Sequence, residues 1–530
     1  MLDTLYKSVI NLIIAFIVLY CILYSFDIGF FERTTSLNQS IPIFFIGTIY
    51  FVYTIIILMK DPFRKGYISL VSGLVIYEIY GTVVNIVFPH IMLTPYFLLW
   101  IFYYYLLSKE RLKVNKGEVL LTIMILSTFI SMFLSKNEYI AIGYTTFTML
   151  TILFVALCTS RVIRIQQYKG NSFVPIISAS LLNMMFFSFL YFLYEVYGSG
   201  RGISLSSYIQ TNLGRTFDEN KYLTAGFMEP VGFSLMAAIT LVYYFAVFGI
   251  YKKDNVNKND SFAEHRKYAI IKSNYFIFLI LYSLFLLIIS NSRTGYSGLF
   301  ISLVVFLYLL HRYVPNQFSI SKIAKISVIV IVSISVLVFI IRSANIFESF
   351  DRSSLIRGRQ IDTSLSYILT AEDSIKILMG NFWGSGAFTS SGNFFIGAYS
   401  GTTNVVNIYS VLLNVGATYG WITLILNILF YIFLTVQIGN KLKNSKYIDS
   451  EKLVILAFLA LVVASVLPLC PTLSLASNWT PQQSNIPILK TIFFPPRVYG
   501  AVITAISYGV LISQTNSFQH RNIVPLIAHD

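Results

Sequence analysis

The amino-acid sequence predicts an all-α fold: a polytopic transmembrane helical bundle of about fourteen spans with an elaborated outer, periplasmic loop region. Of its 530 residues, 56% are hydrophobic and only 12% are charged, which leaves too little polar surface to cover a water-soluble core of this size. Apolar runs of roughly 17 to 25 residues, the length that a helix needs to cross a bilayer, recur along the chain. The alternating pattern of a membrane β-barrel is not seen.

The apolar runs predict the position of each span, and together they make residues 1–530 one transmembrane domain. The predicted spans lie near 5–25, 41–59, 67–88, 91–107, 118–135, 139–160, 173–194, 223–250, 273–290, 296–310, 326–342, 419–438, 452–469 and 495–513. The first run has no small-residue cleavage site, which predicts a retained span and not a signal peptide. Cys21, Cys158 and Cys470 show no CxxC spacing, which favours packing roles over a disulfide or metal site.

The distribution of basic residues predicts the orientation of the chain. With both termini in the cytoplasm, 25 of the 38 Lys and Arg residues lie on the inner side and 13 on the outer side of the cytoplasmic (inner) membrane. The inner set contains 18 Lys and 7 Arg, whereas the outer set contains 4 Lys and 9 Arg. This outer preference for arginine indicates recognition of phosphate or carboxylate, although snorkelling or pairing with protein acids is an alternative. The net charge of +15 then reflects orientation and lipid headgroups, not nucleic acid.

Three outer segments are long enough to form structure outside the membrane: 195–222, 343–403 and 468–497. The second contains Arg352, Arg357 and Arg359, followed by apolar residues whose spacing predicts an amphipathic helix lying over the membrane domain. The third contains six prolines and predicts an irregular covering loop.

Two ionisable residues near the outer surface stand out. Arg293 lies in the hairpin 291–295 between two apolar runs, where it needs an anionic partner, either a protein carboxylate or a lipid phosphate. Glu229 follows Arg215 in sequence and falls at the start of the predicted span 223–250. A further acid, Glu78, lies inside the third span, where a structural and a gating role are both open. The sequence has no nucleotide-binding, zinc-protease or outer DxD motif, so neither a cofactor nor a metal is expected.

Four sequence pieces, taken in order, resemble the O-antigen polymerase and O-antigen ligase superfamily over residues 200 to 440. They are Arg215 with Gly226-Phe227-Met228-Glu229-Pro230, Ser290-Asn291-Ser292-Arg293, Arg357 and Arg359 with the glycines Gly380, Gly384 and Gly386, and Asn407 with the stretch ending at Gly420. Members of this family act on polyprenyl-diphosphate-linked glycans at the outer face of the cytoplasmic membrane, where arginines engage the diphosphate. The resemblance assigns that role to Arg215 and Arg293.

The resemblance implies a metal-independent membrane glycosyltransferase, similar to the GT-C class, that polymerises lipid-linked repeat units of O-antigen, capsule or exopolysaccharide. Glu229 is the candidate general base. The family's ligase branch has a histidine before the asparagine, and this chain has Val406 there, which favours polymerase over ligase. The candidate substrate-binding residues are Arg352, Arg357, Arg359, Asn407 and Trp383. A flippase and a chain-length regulator are candidate partners. The alternatives are an O-antigen ligase and a flippase or other transporter, although transporters usually contain two related halves that are not visible here.

Overall fold

The structure, a computed structural model, is all-helical where it describes the chain, and no β-strand occurs in those residues. It describes residues 37–77, 79–80, 95–110, 112–134, 138–198, 225, 230–250, 273–290, 293–313, 411–443, 450–466 and 498–515. A described helix overlaps every predicted apolar run except 5–25 and 326–342, which lie outside these residues.

Residues 74–77 and 79–80 are helical, and the described residues contain twelve further α-helices. In chain order they are α1 (Leu37–Lys60), α2 (Tyr67–Ser72), α3 (Pro95–Ser108), α4 (Lys116–Leu134), α5 (Glu138–Tyr168), α6 (Val174–Leu193), α7 (Pro230–Tyr244), α8 (Ser273–Ile289), α9 (Arg293–Tyr313), α10 (Val411–Lys443), α11 (Ser450–Val466) and α12 (Val498–Ser513). Short π-helical turns precede α2 and follow α6 and α7, at Pro62–Gly66, Tyr194–Gly198 and Phe245–Ile250.

The centre of the bundle contains α5, α11 and α12, whose described side chains are mostly buried. α11 is buried on every face, as expected of a helix that is apolar all round. α12 packs along α5, and Gly509 lets the two backbones approach closely. A Cβ built on Gly509 would lie 2.5 Å from Cβ of Thr159 and 2.7 Å from the main-chain oxygen of Ala156. Any larger residue there must push the two helices apart.

Two helices at the periphery expose apolar stripes along their length. On α10 the exposed side chains repeat every three or four residues, which places them on one helix face. They are Ile425, Ile428, Leu429, Ile432 and Val436. The exposed stripe on α1 consists of Phe45, Ile46, Ile49, Val52, Tyr53, Ile56 and Met59. Continuous apolar surface of this kind is unusual for a protein dissolved in water and suits contact with lipid chains.

Three of the described helical segments are long and apolar enough to cross a membrane: Leu150–Tyr168 within α5, Val174–Tyr197 covering α6 and the turn after it, and Trp421–Lys443 within α10. Shorter apolar helices of 10 to 17 residues, such as Ile277–Ile289 and Val502–Ser513, pack beside them. Length and composition therefore make this a candidate membrane protein, in line with the exposed stripes.

A network of buried polar groups joins α4 to the C-terminal end of α5. The Glu118 carboxylate is 1% exposed and accepts hydrogen bonds from Ser160 Oγ at 2.9 Å and from Arg164 Nη1 at 3.3 Å. Its second oxygen accepts from the main-chain N–H of Asn115 at 3.2 Å. Arg161 donates to the Tyr104 hydroxyl at 3.2 Å, and its guanidinium lies 4.5 Å from the centre of that ring.

These contacts extend α5 beyond its predicted end. The apolar run predicted a span ending at 160, with Arg161 and Arg164 in a connection, but the helix continues to Tyr168. Both arginines remain helical because Tyr104 and Glu118, from helices packed beside α5, compensate their burial.

The same end of the bundle is fastened by contacts between residues far apart in sequence. Each joins the terminus of one helix to the terminus of another or to a connecting turn. The pairs are Gln166 Nε2 with Phe63 O at 3.1 Å, Gln167 Nε2 with Glu451 Oε2 at 3.3 Å, Lys441 Nζ with Gln514 Oε1 at 2.6 Å, and Asn115 Nδ2 with Ile512 O at 3.1 Å. We call this the polar end of the bundle.

Candidate functional site

The candidate site lies at the other end of α6. This helix begins next to the polar end, and its 20 residues extend about 30 Å to the turn that contains Glu195. The C-terminal parts of α6 and α8 meet there with Ala225 and with the first turns of α7 and α9. This region contains parts of two motifs singled out in the sequence, because Ala225 directly precedes 226–229 and Arg293 begins α9.

The main chain at Ala225 is fixed by side chains from α6 and from the turn that follows it. Ala225 is buried and has a φ of 48°, the left-handed region, which costs a non-glycine residue roughly 1–2 kcal/mol. Its N–H donates to the Glu195 carboxylate at 2.8 Å, and its carbonyl accepts from Ser188 Oγ at 2.8 Å. Because the single Ser188 proton is used in that bond, the Tyr282 hydroxyl, 3.1 Å away, is the donor to Ser188.

The first turn of α9 packs against the first turns of α7. A Cβ built on Gly295 would lie 2.7 Å from Cβ of Ser234, so the two backbones are in close contact. Tyr296 ties α9 back to α8, because its hydroxyl donates to the carbonyl of Ile288 at 3.1 Å. Arg293 is the first residue of α9, not a loop residue within the predicted hairpin 291–295. The backbone of Arg293 therefore lies two residues before Gly295, the residue that contacts α7.

The electrostatics of this region favour an anion. The first turn of α9 lies against α7 near its start, and each helix N-terminus carries about half a positive charge. Arg293 adds a full positive charge to the same turn. Helix N-termini favour anionic groups, and Arg293 is the first residue of one of them.

Most of the site residues expected from the sequence lie outside the described residues. These are Arg215, Glu229, Arg352, Arg357, Arg359, Trp383 and Asn407. The intramembrane acid Glu78 and the long outer segments 343–403 and 468–497 also lie outside them, as does most of 195–222. The backbone of Arg293 is the one part of the expected site that the described residues place.

Sequence reasoning missed Ser188, Glu195 and Tyr282. Glu195 directly follows an apolar run, which predicts the first residue of an outer loop, although a carboxylate at that position is buried. No local pattern indicates that its partner is an alanine 30 positions later. Among the described residues, no group of three or more His, Cys, Asp or Glu side chains could hold a metal ion.

Comparison with known proteins identifies no relative of this chain. It matches no protein-family model, no curated protein and no solved structure. What the chain does must therefore be inferred from its own residues, above all from the contact between the starts of α7 and α9.

Proposed function

We propose that this chain is a membrane glycosyltransferase that polymerises lipid-linked oligosaccharide repeat units. It transfers the growing glycan from polyprenyl diphosphate to another lipid-linked repeat unit at the outer face of the cytoplasmic membrane. The observation that supports this most directly is the packing of the first turn of α9, which begins at Arg293, against α7, which begins directly after Glu229. A diphosphate-binding arginine and a candidate base are thereby attached to neighbouring helix ends.

The proposed topology has about fourteen spans, both termini in the cytoplasm and outer loops at 195–222, 343–403 and 468–497. The way in which the helix ends group in the structure supports this topology. Residues that the charge pattern assigns to the inner side, such as Lys113, Arg164 and Lys441, lie at the polar end. Glu195, assigned to an outer connection, and Ser290, at the predicted outer end of the span 273–290, lie at the opposite end of their helices, near the candidate site.

The chemistry needs few groups, because a sugar joined to a diphosphate already has a good leaving group. A hydroxyl of the acceptor sugar attacks the anomeric carbon, its proton passes to the Glu229 carboxylate, and the bond from that carbon to the diphosphate oxygen breaks. Arg215 and Arg293 stabilise the negative charge that develops on the departing polyprenyl diphosphate. Direct displacement inverts the anomeric configuration. Neither a nucleotide nor a metal is needed.

The outer segments would supply recognition of the glycan. Arg352, Arg357 and Arg359 would contact anionic groups of the lipid-linked substrate, Asn407 would donate hydrogen bonds, and Trp383 would stack on a sugar ring. The flippase that delivers repeat units and a regulator of chain length are the proposed protein partners.

The test compares Arg293 with Arg312, an exposed arginine at the other end of the same helix. In a strain that depends on this chain for its surface glycan, Arg293→Ala should reduce elongation about 100-fold or more, as expected for removing one group that stabilises transition-state charge. Arg312→Ala should leave elongation unchanged. Both variants are compared at equal membrane abundance, and glycan length is measured by gel electrophoresis.

The outcome separates polymerase from the alternatives. Loss of long chains with single units still at the surface supports the polymerase. Accumulation of units on the cytoplasmic face would instead indicate a flippase, and normal chain lengths on lipid carriers without transfer to the final acceptor would indicate a ligase. Purified Arg293 variants and the unmodified chain, supplied with lipid-linked repeat units and EDTA, test the requirement for metal. A strict demand for added metal would contradict the arginine mechanism.

A further inference from the structure

The turn that follows α1, Pro62–Gly66, is fixed by side chains from two other helices. From α3, the Tyr103 hydroxyl donates to the carbonyl of Pro62. From α5, Gln166 Nε2 donates to the carbonyl of Phe63 at 3.1 Å. Because its main chain is bonded from both sides, the turn carries its own side chains on a preorganised backbone.

Three exposed lysines lie at this turn, and we call them the lysine cluster. Lys60 is the last residue of α1, Lys65 lies within the turn, and Lys169 follows the end of α5. Lys169 Nζ lies 4.4 Å from the centre of the Phe63 ring, so a cation–π contact holds this ammonium group over the turn. A lysine from α5 is thereby brought to the two that belong to α1 and the turn.

Positive charge is in excess around the turn. The segments 60–66 and 161–170 together contain six basic residues and one acidic residue, Asp61. Arg161 and Arg164 form hydrogen bonds within the bundle, whereas the lysine cluster is exposed. One Asp61 carboxylate oxygen accepts a hydrogen bond from the main-chain N–H of residue 64 at 3.2 Å. This excess of exposed positive charge favours an anionic partner.

The exposed apolar stripe of α1 ends directly beside the lysine cluster. Its last member, Met59, is 62% exposed and precedes Lys60. From Phe45 to Met59 the stripe extends roughly 20 Å, enough to line the hydrocarbon of one leaflet, about 15 Å. Tyr168, which is 70% exposed, precedes Lys169, and exposed tyrosines are typical of the headgroup level of a membrane.

This order of an apolar stripe followed by basic groups matches a phospholipid, in which acyl chains are followed by a phosphate. A packed protein helix would match the stripe but would leave the three lysines unexplained. We propose that Lys60, Lys65 and Lys169 bind the phosphate of an anionic phospholipid whose acyl chains lie along the stripe of α1. The charge pattern assigns this end of the bundle to the inner side, so the lipid belongs to the cytoplasmic leaflet. The inference goes beyond glycan transfer and does not depend on it.

Quenching by brominated lipids tests the site in the full-length chain, reconstituted into vesicles. Met59→Trp places an indole beside the lysine cluster, and the quenching seen without this substitution is subtracted. Brominated phosphatidylglycerol is compared with brominated phosphatidylcholine, which has a phosphate but no net charge. We expect the site to prefer phosphatidylglycerol about tenfold or more, because each lysine near the membrane surface attracts anionic lipid.

Matched double substitutions then locate the preference. Lys65→Gln with Lys169→Gln should lower it on the order of tenfold. Lys113→Gln with Lys443→Gln removes the same charge from exposed lysines elsewhere at the polar end and should leave the preference unchanged. Because all four lysines are exposed, neither pair should disturb folding.

Three results would overturn the inference. Equal quenching by the two lipids would show that the site does not select an anionic headgroup. An equal loss in both double variants would show that the preference reflects the overall charge of this face. Weak quenching by both lipids would show that protein covers the stripe, and cross-linking through Ile49→Cys would then distinguish a second copy from another segment of this chain.

Discussion

Replacing Glu118 with alanine should destabilise the bundle strongly, because it removes one carboxylate that three other groups share. Ser160, Arg164 and the N–H of Asn115 all donate to it, and all three would lose their acceptor in a nearly dry environment. Breaking a buried ion pair by removing one partner costs about 3–5 kcal/mol. Arg164 is 15% exposed and also donates to the carbonyl of Lys113, so it keeps one partner when Glu118 is removed. The expected loss in the free energy of unfolding is therefore about 3 kcal/mol, at the lower end of that range.

Glu118→Gln is the matched control, and its expected effect follows from the geometry. One oxygen of the carboxylate faces two donors, Ser160 and Arg164, and the other faces the N–H of Asn115. A carboxamide has only one oxygen, so its NH2 group faces a donor in either orientation. Glu118→Gln should therefore lower the free energy of unfolding by about 1–2 kcal/mol, a smaller loss than that of Glu118→Ala.

The assay is thermal unfolding of the purified chain in detergent. Size-exclusion chromatography measures how much folded chain remains at each temperature. Unfolding of large membrane proteins is often irreversible, so variants are ranked by apparent melting temperature at one heating rate. The expected order, from most to least stable, is the unmodified chain, Glu118→Gln and Glu118→Ala. A double-mutant cycle with Arg164→Met isolates the ion pair, and adding Arg164→Met to Glu118→Ala should restore part of the lost stability. Equal melting temperatures for Glu118→Ala and Glu118→Gln would refute this account of the polar end.

Two further substitutions test the packing of the bundle and its surroundings. Gly509→Ala should lower the free energy of unfolding by about 1–3 kcal/mol, because the new Cβ meets the main-chain oxygen of Ala156, which cannot rotate away. The melting temperature measures this loss. An unchanged melting temperature would show that α5 and α12 are not in such close contact. Ile432→Arg, on the exposed stripe of α10, should reduce insertion of an α10 segment by about 2.5–3.5 kcal/mol in a microsomal insertion assay, whereas Ile432→Ala should insert nearly as well as the original. Equal insertion of both variants would contradict insertion of α10 into the membrane with Ile432 at its centre.

Within the described residues, the sequence predicted where helices lie, because apolar runs mark them directly. It was less reliable about where they end. The predicted span 139–160 stops at the first charge, yet α5 continues through Arg161 and Arg164 to Tyr168. Arg164 stays in the helix because a carboxylate 46 residues earlier in the chain is folded against it, and Arg161 because the Tyr104 hydroxyl accepts its hydrogen bond. Hydropathy is a local property, and a partner so distant in sequence leaves no local trace.

The candidate site was predictable only in part. Arg293 was recognised because an arginine between two apolar runs is costly and therefore informative. Its position as the first residue of α9 has no such local signal, and a hydrogen bond from Tyr296 to Ile288 ties the start of that helix to α8. The turn at Ala225 was not predictable, since alanine gives no sign of a left-handed backbone, whereas glycine or asparagine would have. Chain-distant hydrogen bonds select that conformation.

The polar end contains bonds between the first third of the chain and its last described helix, and this affects the order of assembly during translation. Asn115 and Gly117 bond to Ile512 and Thr515, across 397 and 398 positions. When the ribosome has completed α5, α12 has not yet been synthesised. The face of α5 that contacts α12 in the folded chain therefore stays without this partner until nearly the whole polypeptide has been made. Until that point the Thr159 face of α5 has no protein neighbour from α12 and needs lipid or an insertase to cover it. Premature termination ahead of α12 would consequently damage the amino-terminal half as much as the carboxy-terminal half.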